Sequence, residues 1–388
     1  MIFELLAVQL IISAYNKILS RIMRLSLVII SCFLFVFVAQ NCESHAQIEN
    51  RPMYAAGRFY PADAAELTSI LKDCFAKAKP NETTGETLAI ISPHAGYVYS
   101  GVVAASAYNQ IDADKDYKNI IILGVAHSAM VSGASIYNIG NYITPLGEVK
   151  VNTKLATELI ENYEVFSFNK KAHTNEHSVE VQVPFLQYKL KKDLQIVPIV
   201  VGSGNLITFQ TIANALLPYF NEDNLFVISS DFSHYPAYND AVKVDKLTSQ
   251  AIESNSVQKL VTTLSNNDKL EIPNLATSMC GWPSVITLLF MTQNYPNIGI
   301  DHIQYLNSGD VPYGDKTSVV GYNAFSISLK NIQKTSASFQ LQTIEKLELL
   351  RIARNTIEKY LSNDKIPEVD HEKITPNMMQ HCGAFVTL

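Results

Sequence analysis

Four short apolar segments, rich in β-branched residues and accompanied by longer amphipathic stretches, restrict the fold of this chain more than any other feature. The segments are Leu88–Ser92, Asn119–Gly124, Gln195–Gly202 and Leu225–Ser230. Nearly continuous apolar runs of this length are typical of strands buried on both faces of a parallel sheet. Helical patterns lie at Ala62–Ala78, Gly101–Ile111, Asn152–Asn162, Ser178–Leu190 and Thr208–Tyr219. Strands that alternate with helices predict a three-layer α/β sandwich with a mostly parallel sheet.

Two later apolar runs predict further strands at the edge of this sheet. They lie near residues 303–306 and 318–329, and we expect them to be antiparallel. The main domain is predicted to span residues 47–332 and to be followed by a polar linker at residues 333–342.

The N-terminal residues 1–46 have the pattern of a secretory leader. Two arginines precede an apolar run at residues 25–39, and small residues suited to cleavage precede Gln47. This pattern predicts a signal peptide and export to the periplasm or the extracellular space. An uncleaved membrane anchor and a lipoprotein are the alternatives, and translation begins at either Met1 or Met23. Contact with a membrane is expected only through this leader.

Charge and short motifs exclude several classes of function. The formal net charge is −6, and the lysines and arginines are scattered, so no nucleic-acid partner is expected. None of the five cysteines forms a C-x-x-C pair, which argues against a zinc ribbon and a thioredoxin motif. A Gly-rich phosphate loop and a G-x-S-x-G elbow are missing as well, which weakens nucleotide binding and serine hydrolysis.

Polar side chains follow three of the four predicted central strands. His94 follows the first strand, His127 follows the second, and Asp231 and His234 follow the fourth. The carboxyl ends of parallel strands meet at one edge of the sheet, where open α/β proteins bind their ligands. A histidine that follows a strand is, taken alone, more often a hydrogen-bonded structural residue, but the set of residues together predicts a site at this rim.

A cysteine that precedes a predicted helix is a further candidate. Cys280 lies just before the helical pattern Trp282–Phe290, which has Pro283 in its first turn. A helix N-terminus lowers the pKa of a thiol and so favours a metal ligand or a nucleophile. A lone cysteine is more often a buried apolar residue, so Cys280 gains weight only beside the rim residues.

A competing pattern is typical of zinc peptidases. His173, Glu176 and His177 form H-x-x-E-H, in which two histidines on one helix hold zinc and the glutamate acts as base. This interpretation requires a helix through His173, whereas residues 170–175 favour a loop. Glu176, His177 and Glu180 are alternatively the start of a helix that faces the rim.

Five motifs occur together in the order and context of one protein family. They are PHAGYVYSG at 93–101, LGVAHS at 123–128, EHSVEVQVPFL at 176–186, SSDFSHY at 229–235 and CG at 280–281. With RPMYAAGRFYPAD at 51–63, they make the chain resemble the Memo family, also called AmmeMemoRadiSam system protein B, over about residues 50–330. The resemblance implies a fold similar to class III extradiol ring-cleaving dioxygenases, with a non-haem metal at the strand rim.

The resemblance also implies roles for particular residues. It gives His94, His127 and Cys280 as metal ligands, and His234, Asp231 and His177 as catalytic residues beside the metal. Non-haem iron is the first candidate cofactor, with copper or zinc as alternatives. A thiolate in place of the dioxygenases' carboxylate puts ring cleavage in doubt. A dioxygenase-like oxidoreductase and a non-catalytic metal-handling, peptide-binding or signalling protein therefore both stay open, with a small molecule or a peptide as partner at the crevice.

The C-terminal segment resembles the start of a second family. Apolar residues recur every three or four positions from Thr343 to Leu361, which predicts a helix, and a short strand-like end follows. Residues 343–388 are similar to the first helix and strand of an AMMECR-type domain, called AmmeMemoRadiSam system protein A, and make up only its beginning. Fusions of the two families imply a functional link to a radical S-adenosylmethionine protein.

Overall fold

The computed structural model describes residues 48–83 and 85–330, together with residues 19, 21, 23, 352–354, 356, 357, 359 and 360. The chain divides into two compact units, residues 1–330 and 331–388. The described residues of the second unit are helical, within the helix predicted at Thr343–Leu361. The linker, most of the leader and the rest of the C-terminal segment lie outside the described residues. No helix among the described residues is long and apolar enough to cross a membrane.

Ten strands form one sheet in the described part of the first unit. They are β1 (Gly85–Ser92), β2 (Asn119–Val125), β3 (Ala134–Ile136), β4 (Tyr142–Thr144), β5 (Gly147–Val151), β6 (Phe166–Ser167), β7 (Gln195–Val201), β8 (Asn224–Ser229), β9 (Ile298–Asn307) and β10 (Gly321–Lys330). The main order is β4-β5-β7-β2-β8-β1-β10-β9, and β3 pairs with β6 and β7. The four central strands β7, β2, β8 and β1 are parallel, whereas β10 and β9 are antiparallel. These six strands confirm the predicted sheet and its antiparallel edge.

Nine helices accompany the strands within the first unit's described residues. They are α1 (Ala64–Lys77), α2 (Tyr97–Asn109), α3 (Thr153–Asn162), α4 (Lys170–Thr174), α5 (Val183–Leu190), α6 (Leu206–Leu216), α7 (Tyr238–Glu253), α8 (Val257–Asp268) and α9 (Trp282–Thr292). Three-residue 3₁₀ turns add Glu180–Gln182, Leu217–Tyr219 and Ser308–Asp310. Asp63 caps α1 by accepting hydrogen bonds from two backbone N–H groups, as a short acceptor side chain before an amphipathic run predicts.

The sheet separates two hydrophobic cores, which confirms the three-layer α/β sandwich. Ile120 and Ile122 of β2 belong to one core, while Ile121 and Leu123 belong to the other. Helices α1, α2 and α5 cover the first face, and α3 and α6–α9 cover the second. Because successive side chains of a strand point to opposite faces, a continuously apolar strand needs helices on both sides.

Three local predictions need correction. Helix α2 begins at Tyr97 rather than Gly101, since Gly96 is already its N-cap. Residues 170–174 form the short helix α4 rather than a loop, and Asn169 caps it by accepting from the Lys171 N–H group. The predicted helix at Ser178–Leu190 is a 3₁₀ turn followed by α5.

Candidate metal centre

The rim of the parallel strands gathers the predicted polar residues. His94, His127 and Asp231 each lie two residues beyond the end of their strand, after β1, β2 and β8 respectively. His177 joins them from the segment between α4 and the 3₁₀ turn Glu180–Gln182. A side chain at Gly124 would place its Cβ 2.4 Å from the Ser178 Oγ atom, so glycine allows this segment to pack on the end of β2.

Three imidazoles converge at this rim. His94, His127 and His177 each offer a ring nitrogen, and these nitrogens lie within 4.8 Å of one another. The His94 ring is perpendicular to the other two, and the His127 and His177 rings stack with centroids 4.6 Å apart. The His94 residue is 1% exposed, whereas the His127 side chain is 31% exposed, so the cluster opens to solvent beside His127.

The hydrogen bonds of Ser229 fix the tautomer of His94. The Ser229 hydroxyl donates its single hydrogen to the Ser178 carbonyl at 2.5 Å and accepts from the Gln182 amide at 2.9 Å. Its 2.9 Å contact with His94 Nδ1 must therefore be a second acceptance, with Nδ1 carrying the proton. The His94 Nε2 atom is left with a free lone pair, as a metal ligand requires.

A carboxylate holds His127 in the same tautomer. The Glu176 Oε1 atom lies 2.9 Å from His127 Nδ1, and Oε2 accepts the His127 backbone N–H at 2.7 Å. An ionised carboxylate only accepts, so Nδ1 again carries the proton. Glu176 also accepts the N–H groups of His177 and Ser178. Such carboxylate–histidine pairs are typical of the residues behind metal ligands.

Burial and neighbouring charges set the protonation of the cluster. Burial lowers the pKa of His94 well below its usual range, and the nearby His127 adds to this effect. Burial, with His94 and His127 beside it, lowers the pKa of His177 to about 3. Burial alone would lower the pKa of His127. The hydrogen bond to Glu176 and the charge of that carboxylate outweigh burial and raise the pKa of His127. Hydrogen bonding to His127 overcomes burial and lowers the pKa of Glu176 to about 2.

Cys280 lies beside His94 but does not belong to the group of three imidazoles whose nitrogens lie within 4.8 Å of one another. Its Sγ atom lies 3.1 Å from His94 Nε2, and it directly precedes the N-cap residue of α9. Burial and the neighbouring Asp231 carboxylate nevertheless raise the pKa of the Cys280 thiol. The expected effect of the helix N-terminus is therefore outweighed in the metal-free protein, because desolvation disfavours a thiolate. A positive ion beside the sulfur would reverse this preference.

Asp231 and His234 lie next to the cluster but do not hydrogen-bond each other among the described residues. The Asp231 Oδ1 atom accepts the backbone N–H groups of His94 and Ala95. Burial raises the pKa of Asp231, whereas burial lowers the pKa of His234 against the opposing influence of that carboxylate. The His234 Nε2 atom is buried and has no hydrogen-bond partner within the described part of the chain.

The geometry does not form the zinc-peptidase arrangement. Helix α4 ends at Thr174, so His173 and His177 do not share one helix. His173 is instead a buried structural residue, with Nε2 3.0 Å from the Ser135 hydroxyl. Burial and the charge of Arg51 lower the pKa of His173 to about 3. The alternative in which Glu176 and His177 face the rim agrees with this structure.

The sequence patterns do not indicate the supporting roles of three residues, although Glu176 is named among the alternatives. Glu176 and Ser229 orient the histidines, and Arg51 holds the loop that carries Glu176. Arg51 donates to the backbone carbonyls of His173 and Glu176 and pairs with Glu180, with Nη1 2.6 Å from Oε2. The available signal was that Arg51 and Glu180 are charged residues within the quoted motifs. Their pairing cannot be predicted from the motifs, because the two residues are 129 positions apart.

Comparisons with a family model and with individual relatives give the same family. Residues 51–326 match the family described as Memo-like protein. A MEMO1 family protein of Methanobrevibacter smithii is 34% identical over 279 residues, which cover 69% of this chain and 95% of the relative. A MEMO1 family protein of Desulfurococcus amylolyticus is 32% identical over 288 residues, covering 71% and 98%.

Among solved structures, an uncharacterized protein from Escherichia coli K12 aligns with 54% of this chain and 86% of its own at 13% identity and a TM-score of 0.36. That likeness is too weak to bear on the site. The family match spans every residue of the rim cluster and all but the end of the sheet, and the chain belongs to the Memo-like protein family.

Proposed function

We propose that this protein binds one non-haem transition metal ion at the rim and acts as a metal-dependent oxidoreductase. The convergence of three imidazoles, two of which have Nδ1 hydrogen-bonded from behind so that Nε2 is the atom left for a ligand bond, is the observation that carries this proposal. Imidazole nitrogens that lie within 4.8 Å of one another suit a cation. Imidazole suits iron, copper and zinc, and the resemblance to extradiol dioxygenases makes iron the first candidate.

We propose His94, His127 and Cys280 as the ligands, with His177 as a fourth group within reach. The 3.1 Å contact between Cys280 Sγ and His94 Nε2 supports the thiol, because both atoms face one space. The low pKa of His177 supports the imidazole, because it needs to lose no proton on binding. Metal binding through Cys280 therefore releases the thiol proton, whereas binding through His177 releases no proton.

The remaining residues supply proton transfer. A bound metal of this kind would supply Lewis acidity and electron transfer to a molecule in the crevice. His234 would hold or move the proton at its Nε2 atom, which is buried and without a partner among the described residues. Asp231 would stabilise the protonated His234 by charge rather than by a hydrogen bond, since its Oδ1 atom is occupied by backbone N–H groups.

Metal analysis tests this proposal. The full chain is reconstituted anaerobically with Fe(II), Cu(II) or Zn(II) in turn, because oxidation of Cys280 would destroy a ligand. We expect about one metal ion per chain, lost in His94→Ala and His127→Ala. His302→Ala is the matched control, since its Nε2 atom bonds Asn323 in the edge strands. A parent protein that takes up none of the three metals would overturn the proposal.

Cobalt distinguishes the two ligand sets. Co(II) bound to a thiolate gives sulfur-to-metal charge-transfer absorption, which imidazole ligands do not give. We expect this band in the parent and in His177→Ala, and its loss in Cys280→Ala. A Co(II) complex without the band would remove Cys280 from the ligand set. A metal-loaded protein that consumes no oxygen with catechols or peptides would favour metal handling over catalysis.

Sequence patterns alone support four wider proposals. The leader supports export to the periplasm or extracellular space, with any membrane contact confined to it. The resemblance supports a small molecule or a peptide at the crevice and a functional link to a radical S-adenosylmethionine protein. It also supports an AMMECR-type segment at residues 343–388.

A further inference from the structure

A cavity of about 460 Å³ lies between α6, α8 and the start of α9. Its wall is largely apolar and includes Leu206, Val261, Leu264, Trp282 and Ile286. Small-molecule sites usually occupy a few hundred cubic ångströms and combine an apolar wall with few polar groups. The size and lining of this cavity fit that description.

A buried hydroxyl in the wall has no partner among the described residues. Ser278 lines the cavity and is 3% exposed, and its Oγ atom makes no hydrogen bond to any described residue. The neighbouring Thr277 hydroxyl, by contrast, donates to the Met279 carbonyl and accepts the Met279 N–H. Because burial of an unpaired hydroxyl is unfavourable, such a group in a cavity wall indicates a ligand that satisfies it.

We propose that this cavity binds a small, mainly apolar molecule that carries one hydrogen-bonding group for Ser278 Oγ. The exposed carboxylate of Asp268 also lines the cavity, so an anionic molecule is disfavoured. An uncharged aliphatic or aromatic alcohol has the required chemistry: an apolar body for Leu264 and Trp282, and a hydroxyl for Ser278. The proposal does not depend on a metal at the rim.

The cavity and the rim cluster share one segment of chain. Thr277, Ser278 and Met279 line the cavity, and the Thr277 carbonyl accepts the His234 N–H at 3.0 Å. Cys280, the next residue, faces His94. A molecule in this cavity therefore packs on the three residues that directly precede Cys280, although it enters a separate site.

The tryptophan in the wall allows a direct test. Trp282 is the single tryptophan of the chain, and bromine quenches indole fluorescence on contact. The full chain is titrated with straight-chain bromoalkanols of several lengths and with the bromoalkanes that lack the hydroxyl. We expect saturable quenching by at least one bromoalkanol, and about three- to tenfold weaker binding of the matching bromoalkane, as the loss of one net hydrogen bond predicts.

Three variants make the test specific. Val261→Phe fills the cavity and should weaken bromoalkanol binding by about tenfold or more. Val242→Phe, on the exposed face of α7, should leave the binding affinity unchanged. Ser278→Ala should abolish the preference for the hydroxyl while the ligand-free protein melts at or above the parent temperature, since an unpaired hydroxyl has been removed. Absence of saturable quenching in the parent, or quenching that Val261→Phe and Ser278→Ala both leave unchanged, would overturn the proposal.

Discussion

The Nδ1 atoms of His94 and His127 are each held by a hydrogen bond, whereas the Nε2 atom of His234 is buried without one among the described residues. We call the proposed ligands His94, His127, Cys280 and His177 the ligand half of the rim, and Asp231 and His234 the proton half. Within the ligand half, Ser229 orients His94 and Glu176 orients His127. In the proposed function, the His234 Nε2 atom of the proton half would bind a substrate or water.

This difference shows how one rim can serve two purposes. Metal ligands gain affinity when their rings are fixed in advance, because binding then costs little ordering. A proton-transfer group must instead exchange its partner during a reaction. The backbone of His234 is held, whereas its Nε2 atom is not: the His234 N–H donates to the Thr277 carbonyl at 3.0 Å, and Asp245 accepts from the backbone N–H and the hydroxyl of the preceding residue, Ser233, among the described residues.

The largest expected effect concerns the buried Arg51–Glu180 ion pair, since Arg51 holds the backbone of Glu176 behind the ligand half. Glu180→Gln removes the charge that faces Arg51 in the buried pair, and both side chains are almost fully buried. An uncompensated buried charge is expected to lower the free energy of unfolding by about 3–5 kcal/mol. Urea denaturation measures this. Asp223→Asn, which breaks an exposed pair with Lys118, is the control and should cost less than about 1 kcal/mol.

Asp245, which accepts a hydrogen bond from Ser233 next to His234, is expected to make the free energy of unfolding depend on pH. Burial raises the pKa of Asp245 from 3.8 to about 7, so the folded protein keeps a proton that the unfolded chain loses. The stability from this group is therefore full below about pH 4 and declines as the pH rises to about 7, by a few kcal/mol. Urea denaturation across this range should show a steeper decline in the parent than in Asp245→Asn. Parallel stability curves would argue against a protonated Asp245.

Loss of the carboxylate behind His127 should weaken metal binding. Glu176→Gln keeps one acceptor but places an NH₂ group against the N–H groups that Glu176 now accepts. We expect metal affinity to fall about 10- to 100-fold, as for other residues that support metal ligands. Competition with a chelator measures the affinity, with the exposed Glu161→Gln on α3 as control. Equal affinities for the two variants would show that the ligand half is not held by Glu176.

The smallest effect on metal content is expected in the proton half. His234→Ala removes the free imidazole but no proposed ligand, so the variant should bind as much metal as the parent and lose only proton transfer. Elemental analysis of the two proteins decides this. Metal loss in His234→Ala would erase the distinction between the halves and make His234 a ligand.

Local sequence patterns were sufficient for the sheet but not for the supporting residues. The strands β1, β2, β7 and β8 were predicted because a strand covered on both faces leaves a continuous apolar run in the sequence. The pairs that orient the site leave no such mark. His94 and Ser229 are 135 positions apart, and His127 and Glu176 are 49 apart. Periodicity within one element contains no information about contacts of this range.

The H-x-x-E-H segment illustrates the same limit. Its residues allow either two ligands on one helix or a turn that delivers a single histidine to the rim. The end of α4 at Thr174 decides between them, because it sends His173 into the core beside Ser135 and His177 towards His94. Five residues cannot specify this outcome, since the packing of Arg51 on the backbone carbonyls of His173 and Glu176 holds the segment in place.

The sequence by itself determined the layered α/β fold, the position of His94, His127, Asp231 and His234 at one rim, and the family. These follow from hydrophobic periodicity and from the rule that parallel strands end at one edge. The tertiary structure alone decided that His177, which the resemblance places beside the metal, converges with His94 and His127, and which ring nitrogens are hydrogen-bonded. It also decided which hydroxyl lacks a partner among the described residues. Those properties depend on hydrogen bonds between distant segments, which form only after the strands and helices have packed.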